Sequence, residues 1–412
     1  MSQNKRIYLD YAATTPVDPE VFEAMRPYFA EKFGNASSIH QFGVEAQEGI
    51  VLARRQVADF LGCDSKEIIF TSGATEGNNT IIKGIGSNKN LTGGKKPHII
   101  VSSIEHDCVL GSAEYLKEND LAEITFLPVN KEGLAEIGEL EKSIKDNTVL
   151  VSVMYANNEI GAIQPAREIG ALIKKLNENR SQKIYFHTDA AQAVNYLDCD
   201  VKRIGADFMT ISAHKIYGPK GVGALFVRQG SPFSRLMNGG EQEFKMRAGT
   251  HNTPGIVGLG AAIEKVKKQG SQIEKTKNQR DRLISGIFDK ISGSALNGSR
   301  DNRLPNNANF RFEGVEGESL LVSLDMEGIA VSTGSACAAK SLSPSHVLLA
   351  IGLNHLQSHS SIRFSLGRLT EDSDIDRVVS LMPKIIERLR SISGNLEGGT
   401  VERGKLPDDF GC

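Results

Sequence analysis

The sequence predicts an α/β protein in which a large domain with a mostly parallel, seven-stranded sheet is joined to a smaller α+β domain. Over roughly the first three fifths of the 412 residues, short and almost entirely apolar segments alternate with helical patterns. Strands that helices cover on both faces have this composition, and helices between successive strands favour parallel pairing. After about Gly258 the pattern changes to charged helical stretches with isolated strands between them.

Seven segments in the first part of the chain have the apolar, β-branched composition of buried strands. They are residues 68–70, 99–101, 124–127, 149–153, 184–186, 208–211 and 224–227. Apolar residues that recur on one helical face predict helices over 19–32 and 44–61. Gly62 is expected to end the second of these helices, because glycine readily adopts the left-handed conformation found just beyond helix ends.

The second part of the chain predicts the smaller domain. Two charged helical patterns and two short strands follow Gly258, at about 260–292, 372–393, 309–312 and 361–365. We place the large domain at 15–258 and the small domain at 259–412, joined by the N-terminal segment 1–14. The tail after Ser393 is polar and rich in glycine, which predicts weak attachment to the rest of the fold.

The composition argues against several classes of protein. The chain has 48 Lys and Arg against 50 Asp and Glu, whereas nucleic-acid-binding proteins usually carry a strong basic excess. It has no run of about 18 apolar residues, so no membrane span is predicted, and its polar N-terminus lacks the apolar region of a signal peptide. Its 5 cysteines include no C-x-x-C pair, which argues against a disulfide framework or a structural zinc site. We therefore expect a reducing, cytoplasmic setting.

Polar segments follow five of the predicted strands. They are residues 71–75, 105–107, 157–159, 189–192 and 212–215. Ligands of open parallel sheets bind beyond the carboxyl ends of the strands, so these segments are expected to meet at one edge. One such coincidence would be weak evidence, but five of them predict a functional site at this edge.

The first of these segments has the composition of an anion site. Small and hydroxyl residues at 71–75 open a helix, whose first N–H groups have no partner within the helix and can bind an anion. Ser212 and His214 can add donors to the same anion. An ordinary helix-capping turn would have a similar sequence, so residues 71–75 alone do not establish an anion site.

Three further residues supply different chemistry. Asp189 can keep a ring nitrogen protonated, His106 can stack on a flat ligand or move protons, and Lys215 can lose a proton and attack a carbonyl carbon. Each also has a structural explanation, as a helix cap, a structural histidine or a solvated lysine. Together, a phosphate site, a carboxylate and an amine describe a pyridoxal-phosphate site.

These segments resemble the NifS/IscS-type cysteine desulfurases, which are class V of the fold-type I pyridoxal-phosphate enzymes. The motifs occur in family order between residue 7 and about 393, and the set is specific although each motif alone is not. They are 8–16 (YLDYAATTP), 71–76 (TSGATE), 105–106 (EH), 157–161 (NNEIG), 189–192 (DAAQ), 212–221 (SAHKIYGPKG), 247–250 (RAGT), 335–337 (SAC) and 363–368 (RFSLGR). The resemblance implies a fold-type I pyridoxal-phosphate transferase.

The resemblance also implies a role for each matching residue. Lys215 would bind pyridoxal 5'-phosphate covalently, Asp189 would pair with the pyridine nitrogen, and His106 would stack on the ring and move protons. Gln192 and Asn158 would lie near the ring hydroxyl. The phosphate would be held by Ala74, Thr75, Ser212 and His214, with Thr250 reaching the phosphate of the neighbouring subunit in a homodimer.

The same resemblance implies that Asn35 and Arg363 bind the carboxylate of the substrate, L-cysteine. In the strand 361–365, alternation puts Ile362 and Phe364 on one face and Arg363 on the other, toward the cleft between the domains. A guanidinium can grip a carboxylate through two parallel hydrogen bonds. A structural ion pair with a nearby Asp or Glu is the alternative.

Cys337 distinguishes the desulfurases from related aminotransferases. Its thiolate would take the sulfur of L-cysteine as a persulfide and leave L-alanine, which requires an exposed, nucleophilic thiol. Small and polar neighbours predict a loop, and its distance along the chain from Arg363 resembles the long-loop subgroup, which passes persulfide to iron–sulfur scaffold proteins and tRNA-thiolation partners. Cys63, Cys108 and Cys199 are expected to be buried instead.

Four other functions are compatible with parts of the sequence. A class-V aminotransferase would share the cofactor site but would need a keto acid and no Cys337. A selenocysteine lyase usually has an Arg-x-Gly-His-His-Cys segment, which this sequence lacks. Residues 399–405 have the spacing of a P-loop, but Leu406 replaces the Ser or Thr that holds magnesium and no strand precedes them. An inactive scaffold subunit would not need both Lys215 and Cys337.

Overall fold

The computed structural model describes residues 5–333 and 343–397. Its helices are α1 (Pro19–Met25), α2 (Pro27–Ala30), α3 (Gln41–Leu61), α4 (Ala74–Gly86), α5 (Asp107–Glu118), α6 (Ile137–Ser143), α7 (Ala166–Asn177), α8 (Val201–Ile204), α9 (Thr253–Lys267), α10 (Gly270–Lys290), α11 (Gly317–Met326), α12 (His346–Ala350), α13 (His355–His359) and α14 (Asp372–Glu397). Its strands are β1 (Ile7–Tyr8), β2 (Ile68–Thr71), β3 (His98–Ser102), β4 (Glu123–Leu127), β5 (Thr148–Ser152), β6 (Tyr185–Asp189), β7 (Phe208–Ser212), β8 (Gly223–Val227), β9 (Ser294–Leu296), β10 (Asn307–Phe312), β11 (Ile329–Ala330) and β12 (Ser361–Ser365).

The large sheet contains the seven strands that the sequence predicts. Their order is β2-β8-β7-β6-β5-β3-β4. β8 is antiparallel to both of its neighbours, and the other pairs are parallel. All the strands except β8 therefore point the same way, and their carboxyl ends meet at one edge. The prediction of a mostly parallel seven-stranded sheet is confirmed.

Two predicted helices are each divided in the structure. The prediction of one helix over 19–32 is wrong, because Pro27 starts a new helix: proline has no N–H, and its ring clashes with the carbonyl group four residues earlier. The pattern at 260–292 corresponds to two helices, α9 and α10. Gly62 ends α3 with φ of 70°, as predicted. Within residues 5–333 and 343–397, no helix combines the length and apolar composition that crossing a membrane requires.

Two smaller sheets lie beside the large one. β12, β10 and β9 pair in that order as antiparallel strands, and β1 pairs in parallel with β11. Ile7 and Leu9 of the N-terminal segment are buried in the same core as apolar residues of β10, β12, α10 and α14. The apolar residues of α9, by contrast, belong to the core of the large sheet, together with those of α3. The domain limits at 258 and 259 stay a prediction.

Glu243 joins the segment before α9 to the edge of the large sheet. Its carboxylate accepts two N–H groups of Arg54 at 2.7 Å and the backbone N–H of Phe70 at 2.8 Å. Burial alone would raise the pKa of Glu243, but hydrogen bonds from Arg54 and His251 lower it to about 2. Residues 243–245 all have positive φ, a conformation that costs of order 1–3 kcal/mol per residue. The ion pair therefore holds a strained turn in place.

We expect Glu243→Gln to lower the free energy of unfolding by about 3–5 kcal/mol, because the buried guanidinium of Arg54 loses its counter-ion. Since the pKa of Glu243 is lowered in the fold, this stabilisation is present above the ordinary pKa of 4.5 and is lost as the pH falls toward 2. Urea unfolding at pH 7 and pH 3.5 measures both effects.

The control for this measurement is Glu241→Gln, which removes an exposed ion pair with Lys245 and should leave the stability nearly unchanged. The difference in the free energy of unfolding between wild type and Glu243→Gln should be smaller at pH 3.5 than at pH 7. A loss below about 1 kcal/mol at pH 7 would show that the pair does not hold the turn.

Candidate active site

A cavity of about 550 Å³ lies beyond the carboxyl ends of β2, β3, β5, β6 and β7. Its walls are the polar segments that follow these strands, with Ala12, Ala13 and Thr14 of the N-terminal segment and part of β12. The predicted site residues that line it are Ala74, Thr75, His106, Asn158, Asp189, Gln192, Ser212, His214, Lys215 and Arg363. The fold thus brings together residues that are far apart in sequence, while their roles stay predictions.

Two other predicted site residues do not line this cavity. Asn35 is exposed, and its side-chain oxygen accepts the N–H of Ser37 at 3.0 Å. Thr250 is exposed in the segment before α9. Cys337 lies outside the described residues. Within one chain, Asn35 and Thr250 are therefore not brought together with the ten residues of the cavity.

Backbone carbonyl groups of the N-terminal segment hold the amine of Lys215. This residue ends a 3-10 turn after β7, and its Nζ donates to the carbonyl oxygens of Ala12 at 2.5 Å and Ala13 at 2.8 Å. The segment is fixed in turn by Thr15, whose N–H and hydroxyl both donate to the carbonyl oxygen of His214. Two backbone carbonyl oxygens thus hold the amine at the cavity wall.

The carboxylate of Asp189 is buried at the end of β6. One of its oxygens accepts the N–H of Ala191 at 2.8 Å, and the other accepts the side-chain amide of Asn78 at 2.6 Å. Gln192, one turn later, donates its side-chain amide to the carbonyl oxygen of Ala12 at 2.9 Å. Two donors therefore fix the orientation of the carboxylate, and the same N-terminal carbonyl group binds both Gln192 and the lysine amine.

The start of α4 forms an anion-binding turn at the cavity. The N–H groups of Ala74 and Thr75 open the helix and, as at any helix start, have no partner within it. Gly223 of β8 lets the backbones approach closely, because a Cβ there would lie 2.8 Å from the Cα of Gly73. The hydroxyl of Ser212 lies beside the same turn, 4.0 Å from where a Cβ of residue 73 would stand. These donors can bind a phosphate without a charged side chain.

His214 adds a neutral imidazole to this wall. Burial lowers the pKa of His214 to about 4, and the positive charges of Lys215 and Lys220 act in the same direction. Its Nδ1 lies 3.2 Å from the hydroxyl of Thr14. At neutral pH this side chain can therefore offer a hydrogen bond but no charge to an anion.

His106 caps α5 in the turn that follows β3. Its Nδ1 accepts the backbone N–H of Cys108 at 3.2 Å and lies 3.1 Å from the Cys108 thiol. The thiol accepts a hydrogen bond from Asn78 at 3.2 Å, and the same amide group binds Asp189. Because Nδ1 accepts, the neutral ring carries its hydrogen on Nε2. A hydrogen-bond network therefore connects His106 to the buried carboxylate.

Arg363 faces the cavity from β12. Its neighbours Ile362 and Phe364 are buried in the small core, as the predicted alternation requires. Its guanidinium donates to the carbonyl oxygen of Asn158 at 3.0 Å and to the carboxylate of Asp10 at 2.8 Å. The ion pair considered as the structural alternative is thus present. It orients a guanidinium that has only 2% of its side chain exposed.

Sequence reasoning missed several residues that position the predicted ones. Asp10, Ala12 and Ala13 lie in the first motif of the resemblance, but two of them act through backbone carbonyl groups, which no side-chain pattern reveals. Asn78 gave a usable signal. It is three residues after Thr75, a spacing that places both on one face of α4.

Comparison with known proteins places the chain in a family. The family model described as aminotransferase class-V matches residues 7–378. The chain belongs to the class-V aminotransferases. Relatives within this family include cysteine desulfurase IscS of Clostridium botulinum (strain Hall), 49% identical over 394 residues that cover 95% of this chain and 96% of the relative. Cysteine desulfurase IscS of Methanosarcina thermophila is 48% identical over 394 residues, 95% of each chain.

Solved structures similar to this member of the class-V aminotransferase family confirm the fold-type I architecture. A NifS-like protein matches with a TM-score of 0.85 and 34% identity, over 93% of this chain and 99% of that one. SspA in complex with cysteine matches with a TM-score of 0.76 and 38% identity, over 88% and 99% of the two chains.

The described thiols of this class-V protein should be unreactive. Burial raises the pKa of Cys63 and of Cys108 to about 12. Cys199 is buried as expected, whereas Cys63 and Cys108 are half-buried. At pH 7.5 a thiol with such a pKa holds roughly a thousandfold less thiolate than a free cysteine, and the thiolate is the nucleophile.

We therefore expect iodoacetamide to modify Cys63 and Cys108 at least about a hundredfold more slowly in the folded protein than in urea. Peptide mapping by mass spectrometry after timed quenching measures the rates residue by residue. Modification of folded Cys108 within minutes would show that its thiol is not protected.

Proposed function

We infer that this class-V family member is a pyridoxal-phosphate-dependent cysteine desulfurase, which removes the sulfur of L-cysteine, releases L-alanine and leaves the sulfur on Cys337 as a persulfide. The observation that carries this inference is the cavity in which the amine of Lys215, the buried carboxylate of Asp189 and the start of α4 lie together. Relatives 48% and 49% identical to the chain are named cysteine desulfurases, and one similar structure is a complex with cysteine.

The cavity fits pyridoxal 5'-phosphate group by group. Lys215 supplies an amine for the aldehyde, Asp189 a carboxylate for the pyridine nitrogen, and Ser212 with the start of α4 supplies donors for the phosphate. The volume of about 550 Å³ is within the usual range of small-molecule sites, roughly 300–1,000 Å³. When bound, the cofactor withdraws electrons from the α-carbon of the substrate and so labilises its neighbouring bonds. The other residues that we assign to the cofactor are Ala74, Thr75, His106, Asn158, Gln192 and His214.

We assign proton transfer to His106. Its Nδ1 is occupied by the backbone N–H of Cys108, so Nε2 is the atom that gives up or takes a proton. Rotation of the Asp189 carboxylate would break its hydrogen bond to Asn78. These two hydrogen bonds therefore fix the orientations of the His106 ring and of the Asp189 carboxylate.

We assign the substrate carboxylate to Arg363. A guanidinium has five N–H donors in a planar fork, so it can bind both Asp10 and a substrate carboxylate. The Asp10 contact fixes the plane of the fork before substrate arrives. Asn35 does not line the cavity of its own chain, and its assignment to the same carboxylate rests on the family resemblance alone.

Cys337 lies outside the described residues, but residues on both sides of it contact the cavity walls. Ser332 exchanges two backbone hydrogen bonds with Arg363, and the hydroxyl of Ser345 donates to Glu159 at 2.5 Å. A chain spans at most about 3.6 Å per residue, so the short separation of Cys337 from Ser332 lets the thiol reach the cavity. Chain connectivity is thus compatible with the assigned role.

The sulfur transfer balances without an added oxidant. The C–S bond of L-cysteine breaks and an S–S bond forms at Cys337. The two thiol hydrogens of the reactants become the persulfide hydrogen and the new hydrogen on the β-carbon of alanine. His106 is the group placed to carry the proton between these positions.

We assign the enzyme to a homodimer in which Thr250 completes the phosphate site of the neighbouring subunit. The support is a group of large apolar side chains exposed on and around α1, α2 and α3. Their exposed fractions are 99% for Ile39, 63% for Phe33, 62% for Phe29, 57% for Leu52 and 54% for Phe42. Monomeric proteins rarely expose a concentration of this kind, whereas protein interfaces contain them.

The persulfide sulfur is passed to acceptor proteins, such as an iron–sulfur scaffold, and to other thiolation pathways. This step follows from the family resemblance, since no acceptor is chemically specified by the cavity. We place the enzyme in the cytoplasm. The free thiols of Cys63, Cys108 and Cys199 support that setting, because cytoplasmic reductants keep thiols reduced.

We expect Cys337→Ser to bind cofactor and L-cysteine but to release no L-alanine over repeated turnovers, because only the sulfur transfer uses the thiol. Chromatographic measurement of L-alanine, without any keto acid present, tests this. Cys63→Ser is the matched control, since Cys63 does not line the cavity, and it should retain activity.

Two outcomes would contradict the proposal. If wild type produces L-alanine only when a keto acid is added, the protein is an aminotransferase. If Cys337→Ser stays active and Cys108→Ser does not, a different thiol carries the sulfur.

We expect Arg363→Ala to weaken L-cysteine binding by about tenfold to a few hundredfold, because a charge-assisted hydrogen bond contributes roughly 1.5–3 kcal/mol and each 1.4 kcal/mol is a factor of ten. Arg363→Lys should retain only part of the wild-type affinity for L-cysteine, since an ammonium lacks the planar fork of a guanidinium. The dependence of the cofactor absorption on L-cysteine concentration measures the affinity, with unchanged cofactor content as the control. Unchanged affinity would move the carboxylate site elsewhere, with Arg368 the next candidate.

A further inference from the structure

Glu105 is a buried residue at the junction of three elements of the cavity wall. Its Oε1 accepts the hydroxyl of Ser102 and the backbone N–H of Met154, both at 2.6 Å. Its backbone carbonyl oxygen lies 2.9 Å from Nε2 of His346, the first residue of α12, and accepts its hydrogen. Glu105 therefore links the ends of β3 and β5 to α12, and it directly precedes His106.

The two carboxyl oxygens of Glu105 have different surroundings. Oε1 receives two hydrogen bonds, whereas Oε2 is buried and has no hydrogen-bond partner within residues 5–333 and 343–397. A charged Oε2 would lose its hydration without gaining a donor, which is strongly unfavourable. Burial raises the pKa of Glu105 to about 8, and the charge of Asp189 adds to this, although the bonds from Ser102 and Met154 oppose it. In the neutral carboxylic acid the hydrogen is therefore on Oε2, because Oε1 already accepts two hydrogen bonds.

We propose that Glu105 is a positioning residue that works as a neutral carboxylic acid, holding the turn that carries His106 against the end of β5. An anion at this position would draw a proton onto the imidazole of His106 and would repel the carboxylate of Asp189. Both effects would disturb the groups that handle protons in the cavity. The part of this inference that concerns catalysis rests on the desulfurase function proposed above.

Other ionisable groups surround Glu105. They are His106, Asp107 and Cys108 on or next to α5, Asp189 at the end of β6, Glu159 after β5, Lys215 after β7, His346 on α12 and Arg363 on β12. Burial raises the pKa of Cys108 to about 12 and also raises the pKa of Glu159. The variants below change Glu105 alone and keep all of these groups in place.

The decisive variant is Glu105→Gln, which keeps the neutral form at every pH. The N–H of Met154 requires an acceptor, so the amide oxygen takes the place of Oε1 and the amide nitrogen that of Oε2. We expect the cofactor-loaded Glu105→Gln enzyme to form L-alanine at pH 7 at no less than about a third of the wild-type rate. Glu105→Ala, which breaks both bonds, should lose about tenfold or more.

The pH dependence distinguishes a neutral acid from a merely structural side chain. Between pH 7 and pH 9, kcat/KM of wild type should fall about tenfold relative to Glu105→Gln, because one pH unit above its pKa a carboxyl group is about nine-tenths ionised. Glu114→Gln makes the same charge change at an exposed position of α5 and should follow wild type throughout.

Thermal unfolding of the loaded enzymes provides a readout that does not depend on activity. Because the pKa of Glu105 is raised in the fold, its stabilisation is complete below the ordinary value of 4.5 and is lost as the pH rises toward 8. The Tm of Glu105→Gln should therefore rise relative to wild type between pH 5 and pH 8, by about 2 °C or more.

Each outcome decides one of the two proposals. If no variant and no wild-type enzyme forms L-alanine, the desulfurase function fails, while the Tm comparison still tests Glu105. If the Tm difference stays constant with pH and Glu105→Gln is as inactive as Glu105→Ala, the residue works as a carboxylate and the inference is wrong.

Discussion

The site depends on the position of the N-terminal segment, which is hydrogen-bonded both to β12 and to the turn after β7. The carbonyl groups of Ala12 and Ala13 hold the amine of Lys215, and Asp10 holds the guanidinium of Arg363. The N–H of Ala12 donates to the hydroxyl of Ser365 at 2.9 Å, which fixes the segment to β12. Because each residue offers one donor and one acceptor, a shift by a single residue would misplace all of these contacts together.

Burial decides which groups of the cavity carry charge. Asp10 pairs with the buried guanidinium of Arg363, whereas the pKa values of His214 and Glu105, about 4 and about 8, keep both side chains neutral at pH 7. Removing a charge from water is costly unless a partner replaces the hydration, and Asp10 supplies that partner for Arg363. A charged ligand that enters the cavity therefore meets a guanidinium whose orientation is already fixed.

Local patterns predicted the parts of the structure that local physics determines. The seven strands and the burial of Ile362 and Phe364 follow from apolar composition and alternation, and the polar segments after the strands meet because parallel strands share an edge. The break at Pro27 follows from the same local physics, because proline has no N–H with which to continue a helix. Glu105, by contrast, contacts Met154 and His346, which are far from it in the sequence. The local pattern around Glu105 does not predict these contacts.

The site residues also fall into those whose position the local sequence predicts and those whose position it does not. Asp189 and Lys215 end strands or follow them directly, so their place could be predicted from the order of the segments. Asn35 and Thr250 are exposed and away from the cavity of their own chain, which sequence order could not reveal. Ala12 and Ala13 contribute backbone carbonyl groups. Because every residue has such a group, the residue type gives no signal of this role.

The pairing of β1 with β11 joins the first strand of the chain to residues made more than three hundred positions later, with Ile7 opposite Ile329. On the ribosome, the large sheet can form while β1, which pairs with β11 outside that sheet, still has no partner. The segment that carries the carbonyl groups beside Lys215 gains its contact with Ser365 only after β12 has emerged. Such distant pairing is slow to form, so the cavity is completed among the last parts of the fold. Synthesis of the small domain therefore sets the earliest moment at which the enzyme can hold a ligand.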